Sequence, residues 1–258
     1  MNFQDKICVI TGGANGIGRC IAEAFLDAGA KVAVVDIDAA SGGRLVSRYG
    51  TERVLFLQGD IAEKAVLERF AEQVLKRFER VDYLINNACV SKKGILSDCS
   101  FEDFDYVLRL GVLAPYYLTK LFYNAFAQGA AVVNIASTRA FMSQGDTESY
   151  TAAKGGISAL THALAVSLSG RVRVNAVSPG WIETGAYQKE ERFVPVHSEP
   201  DRVQHPVQRV GTPQDIAKTV LFLCSDDAAF ITGENITVDG GMTKRMIYHN
   251  DEGWYYQP

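Results

Sequence analysis

The sequence contains no apolar run long enough to cross a membrane and no long run of basic residues. A membrane-spanning helix needs about 18 or more apolar residues in succession, and nucleic acids or anionic membranes bind basic patches. With a formal net charge of -4 over 258 residues, we expect neither a nucleic acid nor a membrane as the main partner. The first predicted strand begins at Ile7, which leaves no room for a signal peptide, so we expect a cytoplasmic protein.

The cysteines are few and scattered. They are odd in number, lack Cys-x-x-Cys spacing, and lie at positions 8, 20, 89, 99 and 224. This pattern fits neither a disulfide framework nor a zinc site, so we expect reduced structural thiols and no metal. His197 and His205 also lack metal-ligand spacing, and we expect surface or loop roles for them. We expect His162 to serve in helix packing.

Seven short apolar segments alternate with amphipathic helical patterns. This alternation predicts an α/β fold of the doubly wound (Rossmann) type, in a single domain over residues 1–258, with a seven-stranded parallel sheet flanked by helices. The predicted strands are 7–10, 31–36, 54–57, 81–86, 131–136, 172–177 and 235–238, and the clearest predicted helices are 62–80, 101–126 and 150–169. We interpret the polar segment at about 185–206 as a substrate lid. The aromatic C-terminal tail at 242–258, with Trp254, Tyr255 and Tyr256, is expected to dock on this subunit or on a neighbouring one, where it would help close that neighbour's site.

A glycine-rich turn, Thr11-Gly12-Gly13-Ala14-Asn15-Gly16-Ile17-Gly18, joins the first strand to a helical pattern. Glycines let the backbone approach a pyrophosphate, and the helix N-terminus offers N–H groups to it. The second strand ends at Asp36, 18 residues beyond Gly18, where a carboxylate accepts hydrogen bonds from ribose hydroxyls. Asp36 would repel a 2'-phosphate, and neither Asn15 nor Ile37 supplies a cation for one. The sequence therefore predicts NAD rather than NADP; the alternative is that Asp36 only caps the next helix.

Tyr150 and Lys154 are four positions apart and share one face of a predicted helix. A nearby ammonium favours the phenolate and lowers the tyrosine pKa, so that the phenol can exchange a proton with a substrate hydroxyl. Tyr-x-x-x-Lys also occurs on solvated helix faces, so the spacing alone decides little. Here Ser137, thirteen residues upstream, ends an apolar strand and brings a hydroxyl to the carboxyl edge of the sheet.

These motifs, in this order, resemble the short-chain dehydrogenases/reductases over almost the whole chain. The resemblance is carried by Thr11-Gly12-x-x-x-Gly16-x-Gly18, Asn86-Asn87-Ala88, Ser137, Tyr150-x-x-x-Lys154, Asn175 to Gly180 and Asp239-Gly240-Gly241. It implies hydride transfer between NAD and a secondary alcohol or ketone, with Tyr150 as general acid/base, Ser137 orienting the substrate oxygen and Lys154 holding the nicotinamide ribose. It also implies a homotetramer or homodimer.

The resemblance further implies which residues hold the cofactor. Asp60 is expected to meet the adenine, Asn87 and Ala88 to line the trough, and the segment from Pro179 to Thr184 to close over the nicotinamide. The full expected set for NAD is Gly12, Asn15, Gly16, Ile17, Gly18, Asp36, Ile37, Asp60, Ile61, Asn87, Ala88, Tyr150, Lys154, Pro179, Gly180, Ile182 and Thr184.

Two positions depart from the family pattern. Gly111 lies where the family usually has a catalytic asparagine, whose backbone carbonyl commonly holds a water. Glycine keeps that carbonyl, so the expected catalytic set is Ser137, Tyr150, Lys154 and Gly111, and a break in the helix would supply the carbonyl. Cys89 lies where the family usually has glycine, and we expect it to be a small core residue rather than a reactive thiol.

No motif specifies the substrate. The loops expected around the pocket carry polar residues: Lys92, Arg139, Gln144, Asp146, Glu148, Gln188 and Lys189. Because placed polar groups favour hydroxyl-rich ligands, we expect a sugar, polyol or other small polar secondary alcohol, unless these side chains simply face water. Two other functions stay open. One is an NAD-binding regulatory or scaffold protein without the usual asparagine. The other is an acyl-carrier ketoreductase, whose expected NADP preference conflicts with Asp36.

Overall fold

A seven-stranded parallel sheet forms the centre of the computed structural model, which describes residues 3–188, 196–246 and 248. The strands are β1 (Ile7–Thr11), β2 (Lys31–Asp36), β3 (Val54–Gln58), β4 (Val81–Asn86), β5 (Phe126–Ile135), β6 (Val172–Pro179) and β7 (Asn235–Val238). Their order is β3-β2-β1-β4-β5-β6-β7, and each neighbouring pair is parallel. The strand order reverses between β1 and β4, where such sheets bind ligands at their carboxyl edge. The predicted fold is confirmed.

Helices cover both faces of this sheet. They are α1 (Gly16–Asp27), α2 (Ala39–Tyr49), α3 (Lys64–Phe78), α4 (Phe101–Leu108), α5 (Ala114–Leu121), α6 (Glu148–Ser167), α7 (Glu199–Val203) and α8 (Pro213–Cys224). A π-helical turn, Arg109–Leu113, joins α4 to α5. Short 3₁₀ turns lie at Ile95–Ser97, Tyr123–Ala125, Thr138–Ala140, Gly185–Tyr187, Asp226–Ala228 and Met242–Lys244.

Alternate residues of the central strands pack on opposite faces of the sheet. Ile10 of β1 belongs to a buried cluster with Phe25 of α1 and Val220 of α8. Its neighbour Val9 faces the other side, in a cluster with Phe70 of α3. Because both faces are covered, the strands are nearly continuous apolar runs, as is typical of parallel sheets.

The helix predicted over 101–126 is wrong in two places. It is interrupted by the π-helical turn after Leu108, and α5 ends at Leu121. Phe126 begins β5, where it pairs with Val81 and is buried in the core. Helical periodicity does not reveal such a pairing, because the partner strand is distant in sequence. Apart from the start of β5, the other predicted limits differ from the observed ones by at most two residues.

The predicted lid and tail lie only partly within the described residues. Of the lid, the structure describes 185–188, with a 3₁₀ turn, and 196–206, with α7. Residues 189–195 lie outside it, as do 247 and 249–258, which include Trp254, Tyr255 and Tyr256. In the part of the chain that is described, no helix is both long and apolar enough to span a bilayer.

Candidate active site

The glycine-rich turn between β1 and α1 is shaped by two steric constraints. Gly12 and Gly16 have φ angles of +64° and +57°, in the left-handed region that side chains rarely adopt. Gly18 has no room for a side chain, because a Cβ there would lie 2.1 Å from the carbonyl oxygen of Gly12. Asn15, the N-cap of α1, makes no side-chain capping bond. The N–H groups of the first helical turn therefore remain for an anionic ligand.

Hydrogen bonds between neighbouring strands fix this turn against the end of β4. The Thr11 hydroxyl oxygen accepts from the backbone N–H groups of Asn87 and Ala88, at 3.0 and 3.1 Å. The Asn87 side-chain amide donates to the carbonyls of Thr11 and Gly12, at 3.1 and 3.0 Å. Asn87 and Ala88 thus lie beside the glycine-rich turn, and Thr11 is the residue that joins them to it.

Two carboxylates lie at the carboxyl end of β2. Asp36 accepts from the backbone N–H groups of Ala14 and Asp38, at 3.0 Å each, through its two oxygens. Asp38 caps α2 with one oxygen, and with the other it accepts from the Asn15 side-chain amide at 3.1 Å and the Ser41 hydroxyl at 2.8 Å. A carboxylate has about four lone-pair sites, so Asp36 keeps capacity for ribose hydroxyls. Sequence reasoning missed Asp38, although it lies just before a helix and two residues past Asp36.

Asp60 and Ile61 line the trough beyond β3. One Asp60 oxygen accepts from the Tyr106 hydroxyl at 2.9 Å, and the other from the backbone N–H of Ala62 at 2.9 Å. Burial and the Asp60 carboxylate raise the pKa of Tyr106 to about 12, so this phenol stays a donor at neutral pH. Tyr106 was missed because only the fold brings α4 to the end of β3.

The side chains predicted to act as acid and base lie near the end of β5 and the start of α6. Ser137 is buried, and its hydroxyl oxygen accepts from the backbone N–H of Arg139 at 3.2 Å. Lys154 is only 4% exposed, and its Nζ donates to the carbonyl of Ile135 at 2.7 Å. The same Nζ lies 5.3 Å from the centroid of the Tyr150 ring. The last carbonyl of the strand therefore holds a buried ammonium beside the phenol.

Gly111 lies in the π-helical turn, so the helix is irregular where a break was expected. A Cβ at this position would lie 2.8 Å from the Cβ of Ala153 and 3.3 Å from the Sγ of Cys89. Ordinary carbon contacts are about 3.5–4.0 Å, so only glycine lets α6 approach the turn this closely. This contact accounts for glycine at a position where it costs about 1 kcal/mol relative to alanine.

Cys89 is not the core residue that the sequence predicted. It is half-buried and lines the cavity beside Val90, whereas Cys8, Cys20 and Cys224 are buried. All five cysteines are free. Burial raises the pKa of the Cys8 thiol, as expected of an unreactive structural cysteine. Cys89 differs from its buried counterparts because it lies three residues past the end of β4, in a segment that lines the cavity.

The segment after β6 closes the far side of the trough. The N–H of Gly180 donates to the carbonyl of Val238 at 3.0 Å, and a Cβ on Gly180 would lie 2.6 Å from the Cβ of Asp239. Further along, the Gln188 side-chain amide donates to the Thr184 hydroxyl at 2.8 Å. This segment therefore follows the end of β7 before it turns over the cavity.

These elements enclose one cavity of about 460 Å³, within the range of small-molecule sites. The expected residues that line it are Gly12, Asn15, Gly16, Ile17, Asp36, Ile37, Asp60, Ile61, Asn87, Ala88, Ser137, Tyr150, Lys154, Pro179, Gly180, Ile182 and Thr184. Two other expected residues, Gly18 and Gly111, are not among the residues that line it. Gly18 packs against the Gly12 carbonyl, and Gly111 packs against Ala153 and Cys89. A glycine cradle, a carboxylate and an acid–base pair in one cavity fit a dinucleotide.

The polar side chains expected around the substrate already have partners within the protein. Lys92 pairs with Asp103 at 3.3 Å, Arg139 donates to Gln144, and Gln188 donates to Thr184. The carboxylates of Asp146 and Glu148 accept backbone N–H groups of residues 94–97. Lys189 lies outside the described residues.

The histidines differ partly from expectation. His205 lies in the loop after α7, as one predicted alternative had it, but it is 1% exposed and so is not a surface residue. Its ring lies 6.2 Å from that of Trp181, and its Nδ1 is 3.0 Å from the carbonyl oxygen of Asp201. His197 packs edge-on against Trp181. His162 is exposed on α6. Within the described ranges, no group of three or more His, Cys, Asp or Glu side chains could hold a metal ion.

Known proteins resemble this chain from end to end. A family model described as enoyl-(acyl carrier protein) reductase matches residues 12–243. The chain is 41% identical to an uncharacterized oxidoreductase of Thermotoga maritima over 254 residues, 95% of this chain and 99% of that one. An apo SCOR enzyme from Clostridium thermocellum is 45% identical with a TM-score of 0.88, covering 98% and 99% of the two chains. A 3-ketoacyl-(acyl-carrier-protein) reductase from Brucella melitensis, complexed with NADH, is 32% identical with a TM-score of 0.83, covering 94% and 100%.

Proposed function

Because the chain belongs to the short-chain dehydrogenase/reductase family, we propose that it transfers a hydride between NAD and a secondary alcohol or the corresponding ketone. One observation carries the proposal. Ser137, Tyr150 and Lys154 line the same cavity as the glycine-rich turn and Asp36. A cofactor seated on that turn would extend along the sheet edge towards these side chains.

The proposed chemistry divides between the cofactor and the chain. When bound, the nicotinamide supplies the hydride acceptor for oxidation or the donor for reduction. The Ser137 hydroxyl orients the substrate oxygen, and the Tyr150 hydroxyl exchanges a proton with it: Tyr150 takes the alcohol proton in oxidation and returns it in reduction. Lys154, held 2.7 Å from the Ile135 carbonyl, keeps its positive charge beside the Tyr150 ring, 5.3 Å from the ring centroid.

The preference for NAD is proposed from charge at the adenosine ribose. Asp36 lines the cavity, and Asp38 binds the side chain of Asn15, which also lines it. A 2'-phosphate would be brought close to both carboxylates and repelled by them. The ribose hydroxyls of NAD can instead donate hydrogen bonds to Asp36. A steady-state comparison of NAD and NADP tests this preference.

The residue types on the loops around the cavity do not by themselves define the substrate. A sugar or polyol was expected because the surrounding loops are polar, but six of those seven side chains have partners within the protein. We propose that the substrate is a secondary alcohol or ketone bound beside Ser137 and Tyr150.

The resemblance to a 3-ketoacyl-(acyl-carrier-protein) reductase keeps an acyl-linked ketone open as a second candidate. A measured preference for NADP would favour this second candidate. Asp36 and Asp38 count against it, because both carboxylates would repel the 2'-phosphate of NADP. We also propose a homotetramer or homodimer, and a light-scattering mass equal to one chain would refute this.

The test is to incubate the purified protein with cofactor and each of a panel of alcohols and ketones while NADH absorbance is recorded, and to assay the Tyr150→Phe variant in parallel. Activity that is lost in the variant while NAD binding is kept supports the proposal. Calorimetric NAD binding without turnover on any compound would favour a regulatory or scaffold protein. Turnover that survives in Tyr150→Phe would refute the proton-transfer assignment.

A further inference from the structure

Two loops next to the acid–base side chains are joined into one wall. We name them the β4 loop (residues 90–99) and the β5 loop (residues 141–147). Asp146 of the β5 loop accepts the backbone N–H groups of Gly94, Leu96 and Ser97, at 3.1, 3.0 and 3.0 Å, and the Ser97 hydroxyl. Four hydrogen bonds to one carboxylate fix the β4 loop against the segment that leads into α6.

The first turn of α6 adds further connections. The carboxylate of Glu148 accepts the N–H of Ile95 at 3.3 Å, and the Ser149 hydroxyl donates to the carbonyl of Lys93 at 2.6 Å. Tyr150 follows directly in the chain. The β4 loop is therefore held next to the start of the helix that carries the acid–base tyrosine. A wall fixed in this way is preorganised to contact whatever is attached to the reacting carbon.

The polar side chains of this wall are already engaged. Asp146 and Glu148 bind loop backbone, Arg139 binds Gln144, and Lys92 pairs with Asp103. A sugar or polyol presents several hydroxyls, each of which needs a donor or acceptor when it is buried. A substrate of this kind bound here would have to share these groups with the bonds they already make within the protein.

Apolar side chains are instead exposed on the same loops. Ile95 and Leu96 are 82% and 81% exposed, and Phe141 and Met142 are 54% and 44% exposed. Val90, at the start of the β4 loop, lines the cavity. The backbone N–H groups of Phe141 and Met142 both donate to the carbonyl of Thr138, at 3.2 and 3.1 Å. This holds the pair one turn beyond Ser137.

The β4 loop leaves the cavity at Val90 and the β5 loop follows Ser137, which also lines it. Exposed apolar groups on loops that lead out of a cavity mark a candidate ligand-binding surface. We propose that the substrate carries a hydrocarbon group, aryl or an alkyl chain of about four or more carbons, which packs on Ile95, Leu96, Phe141 and Met142. This inference rests on the proposed function for the alcohol or ketone, and it replaces the hydroxyl-rich substrate. The reacting carbon lies at Ser137 and Tyr150, and the hydrocarbon group lies between the two loops.

Chain length tests the proposal. For 2-alkanols from 2-propanol to 2-octanol, and for 1-phenylethanol, kcat/KM with NAD is expected to rise about three- to fourfold per added methylene until the surface is covered. Ribitol and glucitol are expected to be poor substrates. A flat chain-length profile, or a preference for the polyols, overturns the proposal. The same 3-oxoacyl group offered as an ethyl ester and as a pantetheine thioester distinguishes a free hydrocarbon substrate from a carrier-linked one.

Two variants and a matched control locate the effect. Phe141→Ser and Leu96→Ser are expected to flatten the chain-length profile. Phe230 is a fully exposed phenylalanine. The next two residues, Ile231 and Thr232, bond to the start of β6, so Phe230 lies towards the amino ends of the strands, away from the cavity. Phe230→Ser should therefore keep the wild-type profile. An equal change in all three variants would contradict the assignment of the two loops.

A binding measurement separates this inference from the proposed function. Calorimetry on Tyr150→Phe with NADH measures the affinity for 2-alkanones without turnover. Affinity that rises about threefold per methylene supports the apolar surface even if no alcohol is oxidised by the wild type. Affinity that is independent of length overturns it even if the wild type proves to be a dehydrogenase.

Discussion

Replacing Gly111 with alanine would test whether the close contact between the π-helical turn and α6 keeps the acid–base helix in place. The new Cβ would lie 2.8 Å from the Cβ of Ala153. Carbon contacts need about 3.5–4.0 Å, so the turn or α6 must move by roughly 0.7–1.2 Å. Ala153 lies between Tyr150 and Lys154, and the displacement therefore reaches both. A misplacement of about 1 Å can cost on the order of 100-fold in rate, and we expect kcat to fall about 10- to 100-fold.

The stability effect of Gly111→Ala is smaller because two terms oppose each other. Overpacking costs about 1–3 kcal/mol, whereas alanine is favoured over glycine in a helix by about 1 kcal/mol. The net loss is about 0–2 kcal/mol, which lowers Tm by up to about 8 °C in a chain of this size. The affinity for NAD should fall less than kcat, because Tyr150 and Lys154 are only two of the many residues expected to hold the cofactor.

Gly43→Ala is the matched control for this substitution. Gly43 is an exposed glycine inside α2, and a Cβ there would have no atom within 4 Å. We expect a gain of up to about 1 kcal/mol with unchanged kcat. Thermal unfolding by circular dichroism and kcat at saturating NAD provide the two measurements. If Gly111→Ala matches Gly43→Ala in both, the steric argument is wrong.

Cofactor preference and acid stability give two further predictions. Asp36→Ser should lower the ratio of kcat/KM for NAD over NADP by about tenfold, and adding Asp38→Asn should lower it further, because each carboxylate repels the 2'-phosphate by about 1–2 kcal/mol. An unchanged ratio would contradict the placement of the ribose. The guanidinium of Arg209 lies 2.7 Å from the Asp215 carboxylate and holds the pKa of Asp215 well below its usual value. The stability that this pair contributes is therefore present above about pH 4 and is lost as the pH falls through the folded-state pKa. Asp215→Asn should lower Tm near pH 7, and its Tm should fall less than that of the wild type as the pH is lowered. If Tm plotted against pH gives parallel curves for the two proteins, the linkage is contradicted.

The fold and most residues that line the cavity were predictable because their signals are local. A strand, a glycine-rich turn and a helix follow one another within about twenty residues, and the carboxylate at Asp36 comes at the end of the next strand. The Tyr-x-x-x-Lys spacing likewise lies within a single helix. Each of these patterns depends on residues close together in the chain, so periodicity and turn chemistry are enough to recognise them.

What could not be predicted depends on contacts between distant segments. In the π-helical turn, Gly111 lies close to Ala153, 42 positions along the chain. Tyr106 reaches Asp60 only because α4 packs at the end of β3. The polar loop residues suggested a polar substrate because a sequence does not reveal that Asp146 will be used by the backbone of another loop.

The most direct test of the account is the rate of NAD reduction by the Tyr150→Phe protein with the best alcohol found for the wild type, alongside calorimetric NAD binding. We predict a fall of about 100-fold or more in kcat with NAD affinity within about twofold of the wild type, because the phenol hydroxyl transfers the proton and the ring remains. A variant that binds NAD normally and turns over at the wild-type rate would contradict the central claim that Tyr150 is the general acid/base.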